Sequence, residues 1–291
     1  MTVVLTGATG FTGSHLLAQL LARGIRPRCL VRPTSDTRDL RTAGVEIIEG
    51  DLGDEASLAR AFDGADVLLN TASIGFGHGP GIVAAAERAG ISRAVFISTT
   101  AIFTTLNAKT KSVRMAAEET IRTSGLRWTI VRPTMIYGTA RDRNMARLVR
   151  YLSRWPVMPV GGRGEHLLQP VHVDDVARAV LLALDHDAAI GRAYNIAGKS
   201  PLTFNAVVDV VAAQLGRRVW KLHLPVAPVA GVLALAERAG LRLPVKSEQI
   251  RRLNEDKAFD YSEAARDLGF APIAFEEGIA REIAALGFGR K

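Results

Sequence analysis

Short apolar runs rich in Val, Ile and Leu alternate with longer segments in which apolar residues recur every three or four positions, and this rhythm governs the first two hundred residues. A strand covered on both faces reads as a continuous apolar run, whereas a helix with one buried face shows a period near 3.6. The runs at 3–6, 28–32, 45–49, 67–71, 93–98 and 129–132 are predicted strands, and 193–196 is a later one. Helices are predicted at 13–23, 55–62, 80–89 and 113–124, each closed by a glycine or turn cluster that accepts a left-handed cap. Strand and helix in alternation build β-α-β units, so the expected fold class is α/β, a doubly wound parallel sheet. Beyond Ser200 the pattern turns mostly helical and gains prolines.

Bulk composition narrows the class without naming it. With 291 residues, 48% hydrophobic and 23% charged, the chain is an ordinary globular mixture long enough to bury a large core. The single cysteine, Cys29, excludes an internal disulfide framework and a cysteine-rich metal site, and no metal is expected. Thr2-Val3-Val4-Leu5 leads directly into the first strand with no basic segment ahead of it, so a cytoplasmic location is expected. The apolar stretch 222–235 contains Pro225 and Pro228 and is followed by Glu237 and Arg238, which leaves it too short to span a bilayer. A packed helix beside the active cleft is expected there, and no membrane partner. The net charge of +8 invites a nucleic-acid reading, but the cations are mostly dispersed, no binding motif accompanies them and aromatics make up 6%, so nucleic acid is not expected.

The strongest local signal is Thr6-Gly7-Ala8-Thr9-Gly10-Phe11-Thr12-Gly13, which follows the first strand and opens the first helix. Glycines there permit a tight turn, close approach of the backbone to a pyrophosphate and close helix-to-strand packing, while the helix start offers free N–H groups to the anion. Gly7, Thr9, Gly10, Phe11, Thr12 and Gly13 are therefore candidate cofactor contacts. An NAD-selective site places an acid at the end of the second strand for the ribose 2′-hydroxyl. This chain has Val31-Arg32-Pro33 instead, and the planar cation of Arg32 suits a 2′-phosphate, so NADP is expected ahead of NAD.

The GxxGxxG spacing resembles the TGxxGxxG of the short-chain dehydrogenase/reductase superfamily, and further segments resemble its extended or atypical branch, the epimerase/dehydratase-like proteins. Gly50-Asp51-Leu52 is similar to the segment whose Asp contacts adenine, and Asn70-Thr71-Ala72-Ser73 to the family's fourth-strand segment. Arg132-Pro133-Thr134-Met135-Ile136-Tyr137-Gly138 resembles the loop after the sixth strand, beside the nicotinamide. Gln169-Pro170-Val171-His172-Val173-Asp174-Asp175-Val176-Ala177 and the stretch from Asp260-Tyr261-Ser262 to Gly269-Phe270-Ala271-Pro272 resemble two later signatures of the extended branch. The resemblance implies a Rossmann domain at 1–170 that binds NADP and includes a returning strand near 193–196. It implies a smaller, mostly helical substrate region at 171–291. Asp51, Leu52, Thr71, Ala72, Ser73 and Pro133 are implied cofactor contacts.

The family's Tyr and Lys, four residues apart, exchange a proton with the substrate as hydride moves. Counting back from 125–133 places Thr110 and Arg114 at those positions. Threonine has no accessible ionisation and arginine stays charged, so this pair cannot reproduce that proton transfer. Thr100 stands where the family's substrate-orienting hydroxyl lies. Lys111 or Lys109 acting as acid or base, Tyr137 reaching the site, and loss of catalysis all remain open, and Arg114 retains the implied contact to the nicotinamide ribose. Asp174 or Asp175 is read as the cap of a helix starting near Val176 rather than as a metal ligand with His172. Arg143, Arg147, Arg150 and Arg154 recur at helical spacing, which suits either a solvated face or an anionic substrate. Two functions follow: an oxidoreductase or epimerase-like enzyme acting on a small carbonyl, hydroxyl or sugar-derived compound, or a non-catalytic NADP(H)-binding sensor or assembly protein. A small-molecule substrate and a monomer or homodimer are expected.

Overall fold

The computed structural model describes residues 1–105, 109–225 and 255–288. In chain order the first described elements are β1 (Val3–Thr6), α1 (Phe11–Ala22), β2 (Arg28–Val31), α2 (Arg38–Thr42), β3 (Ile47–Glu49), α3 (Glu55–Phe62), β4 (Val67–Asn70), α4 (Gly79–Arg88) and β5 (Arg93–Ile97). Then come α5 (Lys109–Thr123), β6 (Arg127–Pro133), β7 (Ile136–Tyr137), α6 (Met145–Leu152), β8 (Val157–Gly161), β9 (Leu167–Leu168), β10 (Val171–His172) and α7 (Val173–Asp185). The last are β11 (Arg192–Ile196), β12 (Leu202–Thr203), α8 (Phe204–Gln214), β13 (Trp220–Leu224), α9 (Ser262–Leu268) and α10 (Phe275–Ala285).

The chain forms two compact units, the first comprising Met1–Thr134, Val173–Ile196 and Asp260–Pro272. Its seven described strands form one parallel sheet in the order β3-β2-β1-β4-β5-β6-β11. β1, β4 and β5 are buried at every position, as their unbroken apolar runs require when helices cover both faces. Leu58, Phe62, Leu68, Phe96, Ile121 and Ile130 belong to its main core. Arg93 begins β5 inside the protein and donates to the Arg127 carbonyl at 2.6 Å, the Thr129 hydroxyl at 2.7 Å and the Ala183 carbonyl. Neutral acceptors thus tie β5, β6 and α7 together around one cation, which burial pushes down to about 10.

The sheet order reverses between β1 and β4, so the loops after them part and leave a crevice at the carboxyl ends. The sequence therefore predicts the sheet correctly. The division of the chain is more interleaved than the expected break at residue 170. After β6 the chain leaves this unit at Thr134, re-enters it at Val173 for α7 and β11, and returns once more at Asp260.

The second unit comprises Met135–His172, Ala197–Phe259 and Ile273–Lys291. Tyr137, Val149, Leu152, Val207, Phe275 and Ile279 lie in its core. Among the described residues, three two-stranded ribbons, β7 with β10, β9 with β12 and β8 with β13, join its helices. Of the predicted helix at 222–235, Leu222–Leu224 instead end β13, and residues 226–235 lie outside the described residues. Among the described residues no helix is long and apolar enough to cross a membrane.

Candidate functional site

The loop after β1 turns at Gly7, whose φ of 75° is a conformation that side chains disfavour. The Gly10 N–H closes the turn on the Gly7 carbonyl at 2.8 Å. Side chains are excluded there by contact as well. A Cβ on Gly7 would meet the Ala72 nitrogen at 2.7 Å, and one on Gly13 would lie 2.0 Å from the Gly7 carbonyl oxygen. Thr71 braces the neighbouring loop by donating its hydroxyl to the Thr6 carbonyl at 2.7 Å. The start of α1 carries no side-chain cap and no acid in its first turn, so its positive end is left to an external anion.

These loops border a cleft of about 300 Å³. Gly7, Thr9, Gly10, Arg32, Asp51, Leu52, Thr71, Ala72 and Ser73 from the predicted set all line it. Phe11, Thr12 and Gly13 are not among the lining residues. They form the first turn of α1, where Gly13 is buried and lets the helix settle against the loop. Leu30, Val31, Ser35, Gly50, Phe76 and His78 also line the cleft and were not predicted. Ser35 had a usable signal, being a hydroxyl three residues beyond Arg32. Phe76 and His78 lie around an irregular turn after β4 that no periodicity marks.

Arg32 is exposed at the end of β2, lines the cleft and has no carboxylate partner among the described residues. Two acids of the following segment are engaged elsewhere: Arg38 pairs with Asp36 at 2.6 Å and holds its carboxyl down at about 2, while Arg41 approaches Glu49 at 4.0 Å. The cleft is thus lined by the Arg32 guanidinium and by the Asp51 carboxylate.

Pro133 of the predicted set does not line the cleft, and neither does Arg114. The Arg114 guanidinium lies against the turn after β4, so close that a Cβ on Gly75 would stand 2.8 Å from Nε. It donates to the Thr110 hydroxyl at 2.6 Å, and burial lowers its pKa from the ordinary arginine value. Thr110 itself is exposed. Lys111 donates its ammonium to the Thr104 carbonyl at 2.6 Å, which anchors the start of α5. Thr100 is buried on the short 3-10 turn after β5 and donates to the Pro133 carbonyl at 3.3 Å. Pro133 ends β6, so its carbonyl, not its ring, makes this contact. The nearby Ser98 hydroxyl is buried with no hydrogen-bond partner.

The remaining sequence candidates have structural surroundings. Arg132 holds Glu118 in a buried pair, with Nε 2.9 Å from one carboxylate oxygen, and lies over the Phe103 ring. Tyr137 is 1% exposed in the core of the second unit, between the His172 ring at 5.4 Å and the Phe275 ring at 5.3 Å. Gly278 on α10 makes room for its hydroxyl, since a Cβ there would fall 2.0 Å from that oxygen. The helix expected to start near Val176 starts at Val173, so Asp174 and Asp175 occupy its first turn rather than its cap. There they favour the positive helix end, with Asp174 held by His15 at 2.6 Å and Asp175 by Arg178 at 2.5 Å. On α6, Met145, Val149 and Leu152 are buried and Arg147 faces solvent, with Arg143 and Arg154 just beyond the helix ends.

Comparison with known proteins agrees with this geometry. Residues 7–187 match the model of a family described as NAD(P)H-binding. A ceramide reductase of Caulobacter vibrioides is 33% identical over 200 residues, an alignment covering 65% of this chain and 62% of the reductase's own length. The mitochondrial NADH dehydrogenase [ubiquinone] 1 alpha subcomplex subunit 9 of Arabidopsis thaliana is 27% identical, with 87% of this chain and 68% of that subunit covered. The crystal structure of a nucleoside-diphosphate-sugar epimerase from Pseudomonas aeruginosa superposes with a TM-score of 0.80 at 19% identity, covering 100% and 99% of the two chains, a likeness of fold. The glycine loop, the crevice at the strand reversal and a family match over more than half the sequence agree, and the chain belongs to the NAD(P)H-binding family.

Proposed function

We propose that the protein is an NADP(H)-dependent oxidoreductase acting on a small carbonyl or hydroxyl compound, sugar-derived ones included. The observation that carries this reading is the meeting, in one cleft, of the uncapped α1 start and the unpaired Arg32 guanidinium. The backbone at 10–13 would hold the diphosphate, Arg32 and Ser35 the 2′-phosphate, and Asp51 and Leu52 the adenine side. When bound, the nicotinamide supplies or accepts a hydride.

The chain's own residues supply polarisation and placement. Arg114 presents a permanent cation beside the cleft wall, suited to a ribose hydroxyl or to a substrate oxygen gathering negative charge. Thr100 would turn its hydroxyl from the Pro133 carbonyl to the substrate. At 3.3 Å that bond is long, and giving it up costs about 1 kcal/mol. Lys111 gives one of its three N–H bonds to the Thr104 carbonyl, and Tyr137 is packed in the core of the second unit.

The second reading, a binding protein without chemistry, is favoured by Thr110 and Arg114 at the positions of the usual proton-transfer pair. A reductase and a subunit of a larger NADH dehydrogenase among the relatives match the two readings in turn. Oxidation of bound NADPH by any member of a panel of ketones, quinones and nucleotide-sugars supports the enzyme; stable NADPH across the whole panel supports the binder. Cofactor choice is tested separately. Arg32→Glu should weaken NADPH about 10- to 100-fold through loss of charge-assisted hydrogen bonds, with little change for NADH. Tighter NADH than NADPH binding by the unaltered protein would overturn the cofactor assignment.

A further inference from the structure

β8 and β13 pair in parallel, with Trp220 opposite Val157, Leu222 opposite Pro159 and Leu224 opposite Gly161. Cross-strand partners share a face, and so do alternate residues along each strand. Val157, Pro159, Trp220, Leu222 and Leu224 therefore stand on one face, and all are exposed, Trp220 by 77% and Leu222 by 54%. The other face carries Met158, Lys221, the exposed His223 and the fully buried Val160. This ribbon turns its apolar side outward. Trp155, 60% exposed, leads into β8, and Tyr151 stands beside it with its hydroxyl on the Val157 carbonyl. Scattered surface apolar residues need no explanation, but two tryptophans contiguous with Leu and Val do.

The charge around this face is mostly positive. Residues 143–165 include five arginines and one acid, Glu165, which pairs with Arg163 at 3.1 Å, and residues 209–225 add Arg217, Arg218 and Lys221 with one acid, Asp209. Arg147, Arg154 and Arg218 are exposed and meet no carboxylate among the described residues. Arg217 donates to the Leu152 and Ser153 carbonyls, which satisfies its hydrogen bonds without neutralising it. Lys221, on the opposite face, is matched by Asp209 at 2.6 Å.

We infer that this face docks on an anionic lipid bilayer surface. Trp155, Trp220 and Leu222 would enter the boundary between headgroups and acyl chains, where indole rings are at home, and Arg147, Arg154 and Arg218 would meet lipid phosphates. Charge separates this occupant from a second copy of the chain, since self-association would press two cationic rims together. The docking is peripheral. It departs from the expectation of no membrane partner because unbroken apolar length tests only for spanning, whereas this face is assembled from two segments distant in sequence.

The test is sedimentation of the full chain with vesicles of phosphatidylcholine alone and of phosphatidylcholine mixed with phosphatidylserine. Binding to the anionic vesicles, weakened by salt and accompanied by a blue shift of tryptophan emission, is expected. Arg154→Ala/Arg218→Ala should bind about 30-fold more weakly, at about fivefold per arginine, and Trp155→Ala/Trp220→Ala should lose the shift. Retained far-ultraviolet circular dichroism and NADPH affinity show that each variant is folded. No binding of the unaltered protein to anionic vesicles, or equal binding by folded variants, overturns the proposal. So does a stable dimer whose tryptophans resist acrylamide, which would give the face to a second copy, or the same resistance in a monomer, which would mean that the chain covers the face itself.

Discussion

Glu282 on α10 is fully buried, accepts the Gly138 N–H at 2.9 Å through one oxygen and has no hydrogen-bond partner on the other. Desolvation, followed by the nearby Asp142 carboxylate, pushes its pKa from 4.5 up to about 8, against the opposing pull of the Gly138 N–H and of Arg150. Between those two values the folded chain keeps the proton and the unfolded chain has lost it. The stability that this group contributes is fully present below pH 4.5, falls as pH rises through the window and is lost above pH 8. The full difference is worth about 5 kcal/mol at 1.36 kcal/mol per pH unit, and relaxation around the charged group brings it to roughly 2–5 kcal/mol. Glu282→Gln copies the protonated form, keeping an acceptor for Gly138 and gaining a donor. Urea unfolding of both proteins from pH 5 to pH 9 isolates Glu282 together with its partner Asp142, because titrations elsewhere are shared and cancel in the difference. The variant should match the parent near pH 5 and exceed it by roughly 2–5 kcal/mol at pH 9. A difference independent of pH would refute the reasoning.

Three other perturbations probe separate parts of the molecule. Gly13→Ala places a Cβ 2.0 Å from the Gly7 carbonyl oxygen, so the loop must shift; overpacking of about 1–3 kcal/mol and a loss of NADPH affinity beyond that of a surface control are expected by calorimetry. Glu118→Ala leaves Arg132 nearly buried with no counter-charge, and chemical denaturation should show a loss of about 3–5 kcal/mol. Cys29 is buried in β2 with its thiol pushed up to about 12, so a thiol reagent at neutral pH should modify it only after denaturant is added.

The strands of the first unit were legible because their burial on both faces writes an unbroken apolar run into local sequence, as in Val67–Asn70. The glycine loop was legible for a similar reason, since Gly7 and Gly13 answer contacts that any phosphate-binding turn of this shape imposes. Arg32 could be placed by counting from that turn. Ser35 could have been placed the same way, whereas Phe76 and His78 could not, because the turn after β4 has no period to count along. The interleaved units escaped the sequence too. A chain that leaves a sheet at Thr134 and returns at Val173 gives no compositional break at either crossing.

What the sequence alone determined is what neighbouring residues settle between themselves: the alternation of strand and helix, and the glycine turn between β1 and α1. Tertiary structure decided which distant groups share an environment. It buried Glu282 beside Asp142, set the Arg114 guanidinium against Gly75, and joined Trp220 to Val157 in one exposed face. The physical reason is that backbone geometry repeats over a few residues, so its pattern can be read along the chain, whereas desolvation and charge depend on whatever folding brings within a few ångströms.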